Sequence, residues 1–104
     1  MSFENKVVVI TGASSGIGEA TAEKFAKKGA NLVLVARRKE KLEQVERNLS
    51  KYSIKIMVCV CDVSEKEQVK QMSEKVIETF SKIDVLVNNA GFVIYGKVKE
   101  LSIE

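Results

Sequence analysis

Three closely spaced glycines, Gly12, Gly16 and Gly18, separate a β-branched run from the start of a helical pattern. Glycines make no bonds in a reaction; they let the backbone come close to something else. Lys6-Val7-Val8-Val9-Ile10-Thr11 reads as a short buried strand. A strand that runs through a glycine turn into a helix ends at unpaired amides and the positive end of a helix dipole, and the two together attract phosphate. Gly12 is expected to make the turn, and Gly16 to let the backbone approach a pyrophosphate with no Cβ in the way. Gly18 is expected to let the helix lie close on the sheet. A Walker-type phosphate loop would need a lysine directly after its second glycine, and the sequence supplies none.

The elements that must hold this turn alternate between two periods. The first helix puts Ile17, Thr21 and Phe25 on one face, with Ala20, Ala22 and Ala26 allowing close packing. Gly29 stops it, after Lys27 and Lys28, which suit a helix C-terminus. Asn31 to Ala36 is the second strand, and Lys39 to about Lys51 the second helix, burying Leu42, Val45 and Leu49. Lys55 to Cys61 is the third strand. Ser64-Glu65-Lys66-Glu67 has the form of a capping box, and the helix it opens buries Val69, Met72, Val76 and Phe80. Val85-Leu86-Val87 is the fourth strand and runs into Asn88-Asn89-Ala90-Gly91. A loop then leads to Ser102-Ile103-Glu104, the first turn of a further helix. Buried strands joined by helices pair in parallel, with right-handed crossovers. The expected fold is therefore α/β: a Rossmann-type doubly wound parallel sheet, β-α-β-α-β-α-β, with strand order 3-2-1-4. Residues 1–104 are expected to form one domain, stopping before later strands. That order leaves Val85–Val87 as an uncharged edge, from which self-association with a second copy is expected.

Composition narrows the class. Of 104 residues, 45% are hydrophobic and 30% charged, which suits a soluble globular chain and argues against disorder. No apolar run approaches the ~20 residues of a membrane span. Met1 to Lys6 lacks the features of a signal peptide, so the cytoplasm is the default compartment. The net charge of +3 comes from lysines scattered among glutamates. Such charges read as solvated helix faces, not a nucleic-acid surface. There is no histidine, and Cys59 and Cys61 alone make no metal set. Two apart in a strand, these cysteines point the same way and are expected to be free and buried.

The spacing Thr11-Gly12-x-x-x-Gly16-x-Gly18 resembles the short-chain dehydrogenase/reductase family. Asp62-Val63 after the third strand and Asn88-Asn89-Ala90-Gly91 after the fourth match two further motifs of that family. Each match falls at the C-terminal end of a strand, where open α/β sheets bind ligands. The resemblance runs from Lys6 to about Ile103. It implies an oxidoreductase moving hydride between a nicotinamide dinucleotide and a small carbonyl or alcohol substrate, whose pocket later elements build. It implies that Ser14, Ser15 and Ile17 lie along the cofactor phosphates and the approach to the nicotinamide. The Asp62 carboxylate would accept a hydrogen bond from the adenine amino group, with Val63 beside the ring. Asn88 and Gly91 would lie near the riboses, with Ala90 in the same cofactor-binding stretch. The alternative for Asp62 is a turn residue ahead of Ser64.

In sheets of this kind, an acidic residue about 20 positions past the glycines holds the 2′-hydroxyl of NAD. Here Val35-Ala36-Arg37-Arg38-Lys39 puts Ala36 at that place and Arg37 next to it. A guanidinium binds a 2′-phosphate through a fork of donors, whereas a carboxylate would repel it. NADP(H) is therefore expected over NAD(H), with Arg37 the principal contact and Arg38 a second candidate. Arg38 and Lys39 can equally form a solvated helix start. One departure stands out: many NADP-binding relatives carry a basic residue where this chain has Ser15.

The family's Tyr-x-x-x-Lys pair, serine and asparagine are implied on elements beyond Glu104. Two readings follow: the N-terminal portion of an NADP-dependent oxidoreductase, or a non-catalytic nucleotide-binding or interaction module ending near Glu104. Tyr95-x-x-x-Lys99 has the literal spacing, but Gly96 interrupts it in what reads as a loop. No catalytic residue is assigned. Positioned acid–base help contributes about 10²–10⁴-fold, so this chain alone is expected to oxidise no NADPH above background with ketones or aldehydes. A steady-state absorbance assay at high protein concentration checks this, with Tyr95→Phe as control. Activity that Tyr95→Phe abolishes would place Tyr95 and Lys99 at the centre of catalysis.

Overall fold

A computed structural model of the chain describes residues 2–88 and the backbone of a strand at Phe92–Val98. In order, the elements are β1 (Val7–Thr11), α1 (Gly16–Lys27), β2 (Asn31–Ala36), α2 (Lys39–Leu49), β3 (Ile56–Val60), α3 (Lys66–Phe80), β4 (Ile83–Asn88) and β5 (Phe92–Val98). The sheet order is β3-β2-β1-β4-β5. The first four strands are parallel in the expected order 3-2-1-4, and β5 pairs antiparallel with β4.

β1 is buried along its whole length because the sheet is covered on both faces. Val8, Ile10, Leu32, Leu34 and Val85 meet Ala22 and Ala26 of α1 and Leu42, Val45 and Leu49 of α2 on one side. Val7, Val9, Val33, Val35 and Leu86 meet Val69, Met72 and Val76 of α3 on the other. Cys59 and Cys61 are both free and buried in this second layer. Burial pushes both thiols above their ordinary value, so they are protonated and unreactive at neutral pH.

Several expectations are corrected. The first concerns β4. Residues 92–98 form a strand, not a loop, so β4 is not an edge and offers no free side for a second copy. β4 is also longer than Val85–Val87. Ile83 and Leu86 lie on the same face although three apart, which marks an irregularity between Ile83 and Val85. Asp84 sits there, 8% exposed, and its Oδ2 accepts the Val7 amide at 2.8 Å and pairs with Lys82 at 3.2 Å. Polar residues in a strand register thus serve the sheet: the carboxylate satisfies the first donor of β1.

The helices supply the others. The core face of α1 is Gly18, Ala22 and Ala26, while Ile17 is 76% exposed and Ala20 is also exposed. Small residues win that face because α1 lies too close to the sheet for Ile or Phe. Phe25, half-buried, packs edge-on against Phe3 with ring centroids 5.2 Å apart. α1 ends as expected at Gly29, where the Ala30 amide bonds Phe25 O and the Gly29 amide bonds Ala26 O. The capping box does not form. α3 begins at Lys66, its N-cap is Glu65 with no side-chain cap bond, and the Ser64 hydroxyl turns back to Asp62. Phe80 is only partly buried. Ser102–Glu104 lie outside the described residues.

The closest approach is at Gly18. A Cβ there would meet the carbonyl oxygen of Gly12 and come within 2.8 Å of Ala13 Cα, both backbone atoms that cannot step aside. A Cβ on Gly16, two residues earlier in the same turn of helix, would meet nothing within 4 Å. Gly18→Ala should therefore destabilise the chain by about 1–3 kcal/mol. Gly16→Ala should be neutral, or stabilising by up to ~1 kcal/mol through helix propensity. Urea midpoints of the two variants check the contrast, and equal midpoints would refute the packing argument.

Candidate functional site

Parallel pairing brings the C-terminal ends of β1, β2, β3 and β4 to one side of the sheet. The glycine turn leaves β1 there. Gly12 has φ 63, a conformation that a side chain would strain, and the Ala13 amide donates to Val35 O of β2 at 3.1 Å. Ser15 is the N-cap of α1: its Oγ accepts the Gly18 amide at 3.0 Å and donates to Gly12 O at 2.9 Å. The first regular helical bond is Glu19 N to Ser15 O at 2.8 Å. The amides of Gly16 and Ile17 precede it and have no partner within the helix. The helix end thus presents donors, a positive dipole end and open space above Gly16, a setting that can hold an anion.

A cleft of about 770 Å³ adjoins this turn. It brings together Gly12, Ser14, Arg37, Arg38, Asp62 and Val63, all singled out by sequence, with Val35, Ala36, Cys61 and Ser64 completing the wall. Ser15, Gly16, Ile17 and Gly18 form the adjacent start of α1. Asn88 stands at the end of β4, where the Thr11 hydroxyl lies 3.4 Å from both its Oδ1 and the Val87 carbonyl. Ala90 and Gly91 lie outside the described residues. Tyr95 belongs to β5, and Lys99 also lies outside the described residues. Because Tyr95 sits in a strand, it lacks the helical i, i+4 neighbourhood that a Tyr-x-x-x-Lys pair uses.

A hollow of similar size, about 780 Å³, opens at the other end of the sheet among Glu4, Lys27, Lys28, Asn31 and Tyr52. It faces the amino ends of the strands and the negative end of the α1 dipole. Ligands of open α/β sheets sit at the carboxyl ends, so the first cleft is the candidate.

Charge in the cleft is set by Arg37, Arg38 and Asp62. Both arginines are exposed. The hydroxyl and amide of Ser64 bond the Asp62 carboxylate and hold its pKa below the usual value, burial opposes them, and Arg37 adds a smaller downward pull. Ser64 was missed as a site residue because Ser64-x-x-Glu67 reads so readily as a capping box. The competing signal was present in the spacing Asp62-x-Ser64, which suits an Asp side chain accepting from a backbone amide two residues on. Thr11, which ties β1 to Asn88, gave no signal beyond its place before Gly12.

Residues 6–104 match the family model described as short chain dehydrogenase. An uncharacterized oxidoreductase of Listeria innocua is 47% identical over 93 residues, covering 89% of this chain and 38% of that protein. Among solved structures, L-sorbose reductase from Gluconobacter frateurii, complexed with NADPH and L-sorbose, superposes with a TM-score of 0.82 at 46% identity, over 88% of this chain and 35% of that one. NAD⁺-bound xylitol dehydrogenase superposes with a TM-score of 0.83 at 37% identity, over 88% and 35%. The chain spans 38% of the Listeria relative's length. It belongs to the short-chain dehydrogenase family.

The Asp62 contacts carry a pH signature. A carboxyl whose folded pKa lies below its unfolded value adds stability that is fully present above the unfolded pKa and is lost as pH falls through the folded one. Asp62→Asn keeps the shape and removes the charge. Wild type should exceed this variant in stability at neutral pH, and the gap should narrow below about pH 4. Urea midpoints from pH 7 to pH 3 check this; a gap independent of pH would refute it.

Proposed function

We propose that this chain is the NADP(H)-binding portion of an oxidoreductase acting on a small carbonyl or alcohol substrate. One observation carries the choice of dinucleotide: the state of the α2 N-terminus. Its N-cap is Arg38, which makes no side-chain cap bond, and its first turn carries Lys39 and Lys41 against a single acidic Glu40. Cations at the positive end of a helix dipole oppose helix formation by about 0.3–1 kcal/mol each, whereas an anion there relieves the conflict. Arg37 and Arg38 line the same cleft as Gly12 and Asp62. Ala36, 7% exposed, offers no carboxylate for a ribose diol. The arrangement suits a doubly charged phosphate on the adenosine ribose.

The remaining contacts follow from the chain's own groups. The Gly16 and Ile17 amides bind the pyrophosphate, with Ser14 and the capping Ser15 beside it. Asp62 accepts from the adenine edge, and Val63, 43% exposed, covers part of the ring. Asn88, oriented by Thr11, lies toward the nicotinamide ribose. NADP(H) supplies or takes the hydride when bound. The neighbours support a dinucleotide in general, since one of them holds NADPH and another NAD⁺. The preference for the phosphorylated form therefore rests on Arg37 and its surroundings.

A charge-assisted bond to phosphate contributes about 1.5–3 kcal/mol, so Arg37→Ala should weaken NADPH binding roughly 10- to 150-fold. NADH binding should hardly change. Fluorescence titration of both dinucleotides with wild type and variant checks this, and a wild type that prefers NADH would overturn the assignment.

A further inference from the structure

We propose that Ser64 is a positioning residue for base recognition: by occupying Oδ1 of Asp62 it leaves Oδ2 as a fixed acceptor, which selects a 6-amino purine over a 6-oxo purine. This rests on the dinucleotide reading above and extends it to a residue outside the glycine turn.

Asp62 is held at every polar atom but one. Its amide donates to Gln68 Oε1 at 2.8 Å, and its carbonyl accepts the Glu65 amide at 3.0 Å. Two donors of Ser64 converge on Oδ1, the hydroxyl at 2.7 Å and the amide at 3.0 Å. Among the described residues, nothing donates to Oδ2. Asp62 and Ser64 both line the cleft, with the exposed Val63 between them.

Ser64 is not spent on the helix that follows. The N-cap of α3 is Glu65, and no side chain caps it. The Ser64 hydroxyl has one hydrogen, and Asp62 takes it. Without that bond the carboxylate would turn more freely about its last torsion, and any base would have to order it on binding. Its fixed orientation removes that ordering cost in advance. The hydroxyl also favours the ionised form, in line with the lowered pKa of Asp62. An ionised carboxylate oxygen accepts and cannot donate. It welcomes the amino group of adenine and repels the carbonyl oxygen that hypoxanthine presents at the same position.

The test titrates the chain with NADPH and with its hypoxanthine analogue, which has a 6-oxo group in place of the 6-amino group. Wild type should bind NADPH roughly 10-fold or more tightly than the analogue. Ser64→Ala should lose about 3- to 10-fold in NADPH affinity and nothing for the analogue, so the ratio falls. Ser64→Thr, which keeps the hydroxyl, should retain the wild-type ratio. Should Ser64→Ala fail to fold by circular dichroism, Ser64→Cys, a weaker donor of similar size, takes its place. Equal affinity of wild type for the two dinucleotides would overturn the inference and leave the dinucleotide reading standing. An equal loss for both ligands in Ser64→Ala, or a Thr variant that behaves like Ala, would overturn it in favour of a purely structural serine. Binding of neither dinucleotide by wild type would sink both readings.

Discussion

The contact between Gly18 and the backbone of Gly12 and Ala13 governs the geometry of this chain. Helix α1 follows β1 after only a short turn, and its first turn lies against the turn that produced it. No side chain fits between them. Ala22 and Ala26 continue the same small-residue face, so the helix stays close to the sheet along its length. The approach fixes where α1 begins relative to the strand ends, and so where its unpaired amides open. A larger residue on this face would lift the helix and separate those amides from the cleft beside β2 and β3.

β1 is the strand against which the rest is registered, with β2 on one side and β4 on the other. Its apolar length is closed by polar contacts at both ends. At the lower end the buried Asp84 carboxylate accepts the Val7 amide, with Lys82 close by. A buried carboxylate with no partner would be destabilising, but this one has both a donor and a counter-charge. At the upper end the Thr11 hydroxyl reaches the end of β4. The two contacts set the height of β4 against β1, and with it the place of Asn88 at the rim. β5 then satisfies the outer side of β4.

The cleft departs from what local stability alone would choose. α2 starts without a side-chain cap and with basic residues at the dipole's positive end. α3 starts without a cap although a serine stands one residue before its N-cap. Both helix starts face the same cleft, and in both the side chains serve the space between strands more than the helix they open. Local rules broken side by side, around one concavity, support the dinucleotide site proposed above.

The sequence by itself determined the alternation of elements, the parallel order 3-2-1-4 and most of the cleft. Those features depend on short-range signals: β-branched runs, the 3.6-residue period, and glycines at Gly12, Gly18 and Gly29. It also determined the family, since the motifs fall at strand ends that parallel pairing must bring together. Only the tertiary structure decided which face of α1 is buried. Periodicity ranks Ile17 and Phe25 above Gly18, but the separation of helix and sheet admits no large side chain. It decided likewise that Ser64 serves Asp62 and not α3, because a serine has one hydroxyl hydrogen and two acceptable uses for its side chain. Finally it decided that residues 92–98 pair with β4. Phe92-Val93-Ile94-Tyr95 is a run of strand formers, but it follows Asn88-Asn89-Ala90-Gly91 directly and Gly96 interrupts it, so it reads as a loop until the edge of β4 supplies the hydrogen-bonding partners that make it a strand.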